Sequence, residues 1–179
     1  RAPAPATAPK DEPPKGSVTI STSTSPVRPV PPKDAREGSG EIVAIHRQSG
    51  EITSRTRLGD MVRSSPLTST ERVFVGSIEG REAGALVALS AEADRILWRR
   101  KLGAVFSSPA LTGERVLVGS DDERLYAVET ARGAVVWSIA LGGRVRATPA
   151  VAGDLAFVGT FGGRLAALAA FPAPTVARV

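Results

Sequence analysis

The chain has 179 residues, a formal net charge of +5 and no cysteine, which excludes disulfides, thiolate metal sites and cysteine nucleophiles. The charge is divided between the first forty residues (+2) and the remainder (+3), so neither part is a basic block, and the sequence predicts no nucleic-acid partner. No apolar stretch reaches the roughly eighteen residues of a membrane-spanning helix, so no membrane span is predicted in this chain.

The first part of the chain has the composition of a tether. Residues 1–39 hold most of the prolines, together with many Ala, Ser and Thr residues. Such a segment buries too little apolar surface to offset its conformational entropy, and proline keeps it extended. The sequence therefore predicts a disordered proline-rich linker over residues 1–39, in which residues 18–22 have the composition of a short strand.

A repeated unit occupies residues 40–171. Each copy carries a Ser/Thr-Pro element, an apolar run ending at a glycine ten residues after the proline, and then a second apolar run. The elements are RSSPL at 63–67, FSSPA at 106–110 and RATPA at 146–150; the glycines are Gly76, Gly119 and Gly159; the second runs are LVAL at 86–89, LYAV at 125–128 and LAAL at 165–168, with an earlier IVAI at 42–45. The period is 43 and then 40 residues, and residues 172–179 are predicted to be a C-terminal tail.

The apolar runs predict strands, because they are rich in Val, Leu, Ile and Phe and are bounded by Gly, Pro, Asp and Ser. Runs such as VFVG and VLVG are apolar at consecutive positions, so both faces of these strands are expected to be buried between neighbouring sheets. Four-stranded antiparallel sheets that pack face to face around an axis are the blades of a β-propeller. The sequence thus predicts an all-β fold, a partial propeller of about three four-stranded blades.

The predicted ring is incomplete, because the strands number two, four, four and three along the chain and closed propellers have about four blades or more. Three alternatives remain open at this point. The chain is a piece of a longer protein, an open arc completed by another chain, or half of a homodimeric ring.

The repeat pattern resembles the pyrroloquinoline-quinone-like (PQQ-like) propeller family, and is most similar to its non-catalytic BamB-type members. The resemblance rests on SSPA, VLVGS, LYAVET, a glycine, a tryptophan and a closing Leu-Gly in successive order. It implies that Trp98 and Trp137 dock between neighbouring blades, and that Gly133 frees the backbone in the turn before Trp137. Ser54 stands where a third tryptophan is expected, so the first docking contact is predicted to be degraded.

The repeat places Arg63 and Arg146 at one equivalent position, with Phe106 between them in the series. That position precedes the element expected on the innermost strand, so both arginines are candidates for an anion contact in the central channel. The alternative is that the two stems line a channel mouth that holds no ligand.

The remaining polar candidates favour structural roles. Asp121 and Asp122 lie in a predicted polar turn whose equivalents lack the oxygen ligands of calcium. His46 is predicted to be a solvated residue at a strand end. The recurring serines are predicted to satisfy backbone groups rather than act as nucleophiles: Ser64, Ser65, Ser107 and Ser108. No catalytic, cofactor-binding or metal-binding residue is predicted.

These features favour a non-catalytic extracytoplasmic scaffold, periplasmic or associated with the outer membrane, that binds a partner protein through blade loops or open blade edges in cell-envelope assembly. The predicted partner is an envelope complex component or a second copy that completes the ring. Two alternatives are the sensor domain of a receptor kinase and a fragment of a PQQ-dependent quinoprotein dehydrogenase. The resemblance to dehydrogenases implies a calcium cage and an adjacent-cysteine disulfide, whereas this chain has neither cysteine nor asparagine.

Overall fold

A computed structural model describes residues 40–169, together with the backbone of residues 176 and 177, all within one compact unit, Pro31–Val179. The predicted linker over residues 1–39, including the short strand at 18–22, lies outside the described residues. The described residues form fourteen strands: β1 Gly40–Ile45, β2 Ile52–Gly59, β3 Leu67–Thr68, β4 Arg72–Glu79, β5 Ala83–Ser90, β6 Ile96–Gly103, β7 Ala110–Thr112, β8 Arg115–Gly119, β9 Arg124–Glu129, β10 Val135–Ala140, β11 Ala150–Ala152, β12 Leu155–Gly159, β13 Leu165–Ala169 and β14 Val176–Ala177. Among them there is no helix long and apolar enough to cross a membrane.

The strands form four antiparallel sheets in chain order, which we call blades 1 to 4. Blade 1 contains β1 and β2 only, and blades 2, 3 and 4 each contain four sequential strands. The prediction of an all-β fold with four-stranded blades is therefore confirmed. The sequence predicted three strands for the last blade, and β14 adds a fourth by pairing with β13 through Leu168 and Val176.

The middle strands of blades 2 and 3 are the most buried strands that the structure describes. In β4 the six residues from 73 to 78 are all buried, and in β8 the four residues from 116 to 119 are buried. Both faces of these strands contact a neighbouring sheet, as their consecutive apolar residues predict. The outermost strands, β6 and β10, are half-buried or exposed along their length.

A β-bulge recurs at one place in the outer hairpins. The register shifts between Ala44 and Ile45 in blade 1, between Ala88 and Leu89 in blade 2, and between Val135 and Trp137 in blade 3. A bulge sets two residues of one strand against one of its partner and turns the strand locally. It therefore fixes the direction of the residue that follows it, which is Ser54, Trp98 or Trp137.

The apolar core lies between neighbouring blades. One buried cluster joins Leu58 of blade 1 to Val75 and Val87 of blade 2. A second joins Phe74 of blade 2 to Val118 of blade 3, and two further clusters join blade 3 to blade 4. Most of the hydrophobic stabilisation therefore comes from blade stacking, as in other repeat proteins.

Candidate functional site

Trp98 of blade 2 contacts the turn between β9 and β10 of blade 3. Its indole Nε1 donates a hydrogen bond to the carbonyl oxygen of Thr130 at 2.9 Å. The ring lies against Gly133, where an added Cβ would be 2.5 Å from Cε3 of the indole. Gly133 has a φ of +68°, a backbone conformation that glycine adopts without the steric cost of a side chain.

Ser54 makes a polar version of this contact. Its hydroxyl donates a hydrogen bond to the carbonyl oxygen of Glu92, in the corresponding turn of blade 2, at 2.8 Å. Thr56 donates in the same way to the carbonyl oxygen of Ala93 at 2.7 Å. The tryptophan contact expected from the repeat is thus replaced by two hydrogen bonds between blades 1 and 2.

Trp137 packs in both clusters that join blade 3 to blade 4. Its Nε1 is buried and has no hydrogen-bond acceptor among the described residues. By its place in the repeat, this nitrogen corresponds to the Nε1 of Trp98 that bonds Thr130.

The recurring serines bond backbone groups at the inner strands. Ser64 is buried, and its Oγ accepts a hydrogen bond from the amide of Gly76 at 3.0 Å. The amide of Ser65 donates to Oγ of Ser108 in the next blade at 2.8 Å, and Oγ of Ser107 donates to the carbonyl oxygen of Ala147 at 2.8 Å. The last two of these contacts link the beginnings of neighbouring blades, whereas the first lies within blade 2.

Arg146 and Asp121 form the closest ion pair between blades 3 and 4 that the described residues show. Nε of Arg146 donates to Oδ1 of Asp121 at 2.8 Å, and its Nη2 donates to Oδ2 at 2.6 Å. The carboxylate side chain is only 11% exposed, and Nε of Arg144 lies 4.0 Å from Oδ2. Hydrogen bonding to Asp121 holds the pKa of the Arg146 guanidinium above its ordinary value.

Two aromatic rings flank the same guanidinium. Cζ of Arg146 lies 4.1 Å from the ring centroid of Phe106 and 5.2 Å from that of Phe161. Both distances are within the range of cation–π attraction. Phe161 is 73% exposed, so the stack opens directly to solvent.

The ion pair lines a cleft of about 280 Å³ formed by the turns of three blades. Six charged side chains line it, three of each sign: Arg81, Glu82, Asp121, Asp122, Arg144 and Arg146. We call these six residues, with Phe106 and Phe161, the loop cluster. It combines a fixed ion pair with further charged side chains and an exposed aromatic ring.

The two predicted channel arginines make different contacts. Arg146 belongs to the loop cluster, whereas Nε of the exposed Arg63 lies 2.9 Å from Sδ of Met61. Asp121 already accepts two hydrogen bonds from Arg146. A shared anion contact for Arg63 and Arg146 stays a prediction.

Asp122 accepts a hydrogen bond from Tyr126, the only tyrosine of the chain. Its Oδ2 accepts a hydrogen bond from the hydroxyl of Tyr126 at 2.6 Å, and its Oδ1 accepts one from the amide of Arg124 at 3.2 Å. Burial, followed by the hydrogen bond and negative charge of Asp122, raises the pKa of Tyr126 to about 12. The carboxylates of Asp121 and Asp122 therefore accept hydrogen bonds from donor groups of the protein itself.

His46 lies at the exposed turn between β1 and β2, where its Nδ1 is 3.0 Å from Oγ of Ser49. Across residues 40–169, no three His, Cys, Asp or Glu side chains are grouped closely enough to hold a metal ion.

Sequence reasoning named Arg146 as a candidate but did not predict its contacts with Asp121 and Phe161. Ile78, Asp121 and Phe161 occupy one repeat position, two residues after the glycine that recurs in each copy. In blade 3 this position is Asp121, which pairs with Arg146 of blade 4.

The fold and its repeats define the class of protein, a β-propeller assembled from PQQ-like repeats. A family model described as outer membrane protein assembly factor BamB matches residues 35–101 and 82–171, and the chain belongs to that family. No curated protein matches the chain.

Solved structures that share the fold include the following three. BamB from Moraxella catarrhalis is 23% identical with a TM-score of 0.60, over 74% of this chain and 44% of that chain. The quinohemoprotein alcohol dehydrogenase ADHIIG from Pseudomonas putida HK5 is 20% identical with a TM-score of 0.54, over 61% and 19%. The computationally designed Ika8 protein is 14% identical with a TM-score of 0.59, over 74% and 41%. The match thus spans less than half of each of these structures.

Proposed function

We propose that this chain is a non-catalytic protein-interaction scaffold of the cell envelope, and that it binds a partner protein through the loop cluster. The observation that carries the proposal is the fixed position of Arg146. Two hydrogen bonds to Asp121 hold its guanidinium, and the rings of Phe106 and Phe161 flank it.

Such a group is suited to protein recognition for two physical reasons. Arginine and aromatic side chains supply most of the binding energy in many protein interfaces. A side chain that is already fixed loses little rotamer entropy on binding, so more of its contact energy contributes to affinity.

The exposed members of the loop cluster define the partner chemistry. Arg144 is 60% exposed, and Phe161 is 73% exposed. A partner segment with a carboxylate beside an apolar side chain fits both, the carboxylate on the guanidinium and the apolar group on the ring. The model of the family to which the chain belongs is described as outer membrane protein assembly factor BamB. That membership supports a protein partner and an extracytoplasmic location.

A photo-crosslinking residue at position 144 tests the proposal in cells that express the chain. We expect a crosslink to a specific envelope protein, and none to that protein from position 47, an exposed arginine in the β1–β2 turn. The recovered partner is then purified, and its affinity for the chain is measured by calorimetry.

Two variants connect that affinity to the loop cluster. Phe161→Ala and Arg146→Ala should each weaken the complex at least tenfold, which corresponds to about 1.4 kcal/mol. Arg47→Ala removes a charge far from the loop cluster in sequence and should leave the affinity for the partner unchanged. Equal crosslinking from positions 47 and 144, or unaltered affinity of both cluster variants, would refute the proposal.

The match to a quinohemoprotein dehydrogenase supplies the competing function. Adding PQQ with calcium to the chain distinguishes the two. The scaffold proposal expects no change in melting temperature and no cofactor absorbance on the purified protein. A melting temperature that rises with both components would favour the dehydrogenase instead.

A further inference from the structure

The outer strand of blade 3 has no charged residue, unlike the outer strands of blades 1 and 2. β2 contains two arginines, β6 contains two arginines and a lysine, and β10 reads VVWSIA. Arg55, Arg57 and Lys101 are exposed on those two charged strands. Charges on an edge strand oppose its pairing with another strand, so blades 1 and 2 have a protection that blade 3 lacks.

Two residues of β10 direct their backbone groups away from the blade. The amide of Leu141 donates to the carbonyl oxygen of Glu123 at 2.9 Å, and Ile139 precedes it by two residues in the same register with β9. Because backbone groups point to alternate sides along an antiparallel strand, those of Ser138 and Ala140 point to the outer edge of the blade. No described strand other than β9 pairs with β10, so this edge is open among the described residues.

The two faces of β10 set the chemistry of a strand that pairs with its open edge. Trp137 and Ile139 pack against the apolar cluster that contains Leu141, between blades 3 and 4. On the other face, Ser138 and Ala140 have small side chains, and Ala140 is exposed. A strand that extends both faces therefore needs apolar residues on one face and small, uncharged residues on the other.

We propose that β10 pairs with β10 of a second copy of this chain, antiparallel and about a two-fold axis. Ile139 of one copy then lies opposite Ile139 of the other, and Ser138 of each copy lies opposite Ala140 of the other. The backbone amides and carbonyls of Ser138 and Ala140, which point to the open edge, bond those of the second copy. On the apolar face, Trp137 of each copy lies opposite Leu141 of the other, which is a favourable cross-strand pair.

Charge selects β10 over the other two outer strands for pairing with its own copy. Self-pairing of β6 would bring its three consecutive cations, residues 99–101, against those of the second copy, and like charges on opposite strands are destabilising. Self-pairing of β2 would bring Arg55 and Arg57 together with their copies in the same way. β10 opposes no charges and has the apolar and small faces that its own edge requires, so a second β10 is the occupant that fits.

None of the residues in this edge belongs to the loop cluster, so the inference does not depend on the proposed function. Sedimentation of the full 179-residue chain tests it first. We expect a concentration-dependent species of twice the chain mass of 18.6 kDa. If the edge binds a different protein instead, the purified chain sediments as a monomer at every soluble concentration, and that result would overturn the inference.

Hydrogen exchange of single amides locates the contact in the unaltered protein. The amides of Ser138 and Ala140 should exchange at least tenfold more slowly at concentrations where the dimer forms than at concentrations where the chain is monomeric. Lys101 is the internal control, because it has the repeat position of Ala140 on the charged strand β6. Exchange at Ser138 and Ala140 that does not change with concentration, in a chain that does dimerise, would place the contact elsewhere and exclude this edge.

A proline at the open edge tests the backbone pairing. Ala140→Pro removes an amide that points away from β9, so the strand keeps its place in blade 3 while the pairing with a second copy loses a donor. The dissociation constant of the dimer should rise at least tenfold. Lys101→Pro makes the same change at the corresponding position of β6 and should leave the dimer unaltered. Dimers of Ala140→Pro as strong as those of Lys101→Pro would exclude pairing through β10.

An engineered cysteine identifies both the occupant and the register, since the chain has no cysteine of its own. In the proposed dimer Ile139 faces its own copy in a pair without backbone hydrogen bonds, where the Cα atoms are about 4.5 Å apart and a disulfide can form. Oxidised Ile139→Cys should therefore give mostly disulfide-linked dimers. Arg100→Cys is the matched control, because Arg100 has the same repeat position on β6 and is half-buried like Ile139. Equal linkage of the two variants would show chance collision of chains and overturn the proposed pairing.

Discussion

The indole of Trp98 lies against the backbone of Gly133 in the next blade, so closely that a Cβ at position 133 would be 2.5 Å from Cε3 of the ring. The contact joins the bulged outer strand of blade 2 to a tight turn of blade 3. It depends on both residues at once, because the tryptophan fills the space that the glycine leaves empty.

Gly133→Ala should therefore lower the free energy of unfolding in two ways. An alanine at a φ of +68° costs about 1 to 2 kcal/mol, and displacing the indole costs about 1 to 3 kcal/mol more. Gly80→Ala is the matched control, because Gly80 has a φ of +65° and no atom within 4 Å of an added Cβ. Urea unfolding of both variants measures the difference, and equal losses would show that the Trp98 contact contributes nothing.

The two tryptophans should respond differently to removal of the indole nitrogen. Trp98→Phe loses the hydrogen bond to Thr130, whereas Nε1 of Trp137 has no acceptor among the described residues. We expect Trp98→Phe to cost about 1 kcal/mol more than Trp137→Phe in the free energy of unfolding.

Full truncation of Trp137 tests its place in the core rather than its nitrogen. Trp137→Ala should cost about 3 to 5 kcal/mol, because the indole packs in both clusters between blades 3 and 4. A loss below about 1 kcal/mol in chemical denaturation would contradict the docking role predicted from the repeat.

The repeat in the sequence was sufficient to predict the blades, because hydrophobic runs and turn residues mark each strand locally. Contacts between blades were harder to predict, since they depend on the rotation of one sheet against the next. The carbonyl of Thr130 as acceptor and the pairing of Arg146 with Asp121 are of this kind. β14 was missed because a two-residue strand has no periodicity that a sequence could show.

The phenol of Tyr126 should ionise well above the ordinary range, with a pKa of about 12 against a reference of 10.0. Since the folded state favours the protonated phenol, this contribution to stability is complete below pH 10 and is lost as the pH rises from 10 toward 12. Tyrosinate absorbance measures the titration directly, because the chain has one tyrosine.

Asp122→Asn separates the causes of that raised pKa. Burial remains while the negative charge is lost, so the pKa of Tyr126 should fall below that of the wild type and stay above 10.0. Glu123→Gln, which neutralises the adjacent exposed carboxylate, is the control and should leave the titration unchanged. An unaltered pKa in Asp122→Asn would mean that the hydrogen bond to Asp122 does not contribute.

Arg146→Lys tests the geometry of the loop cluster separately from its charge. Lysine keeps the positive charge but has neither the planar fork that makes two hydrogen bonds to Asp121 nor the flat group that lies over Phe106. The carboxylate side chain is 11% exposed, so we expect the free energy of unfolding to fall by about 1 to 2 kcal/mol. Arg144→Lys is the control: its side chain is 60% exposed and its Nε is 4.0 Å from the same carboxylate, so the change should be below about 0.5 kcal/mol. Equal losses in the two variants, measured by denaturant unfolding at the same salt concentration, would show that Asp121 responds to net positive charge alone and that Arg146 is not specifically held.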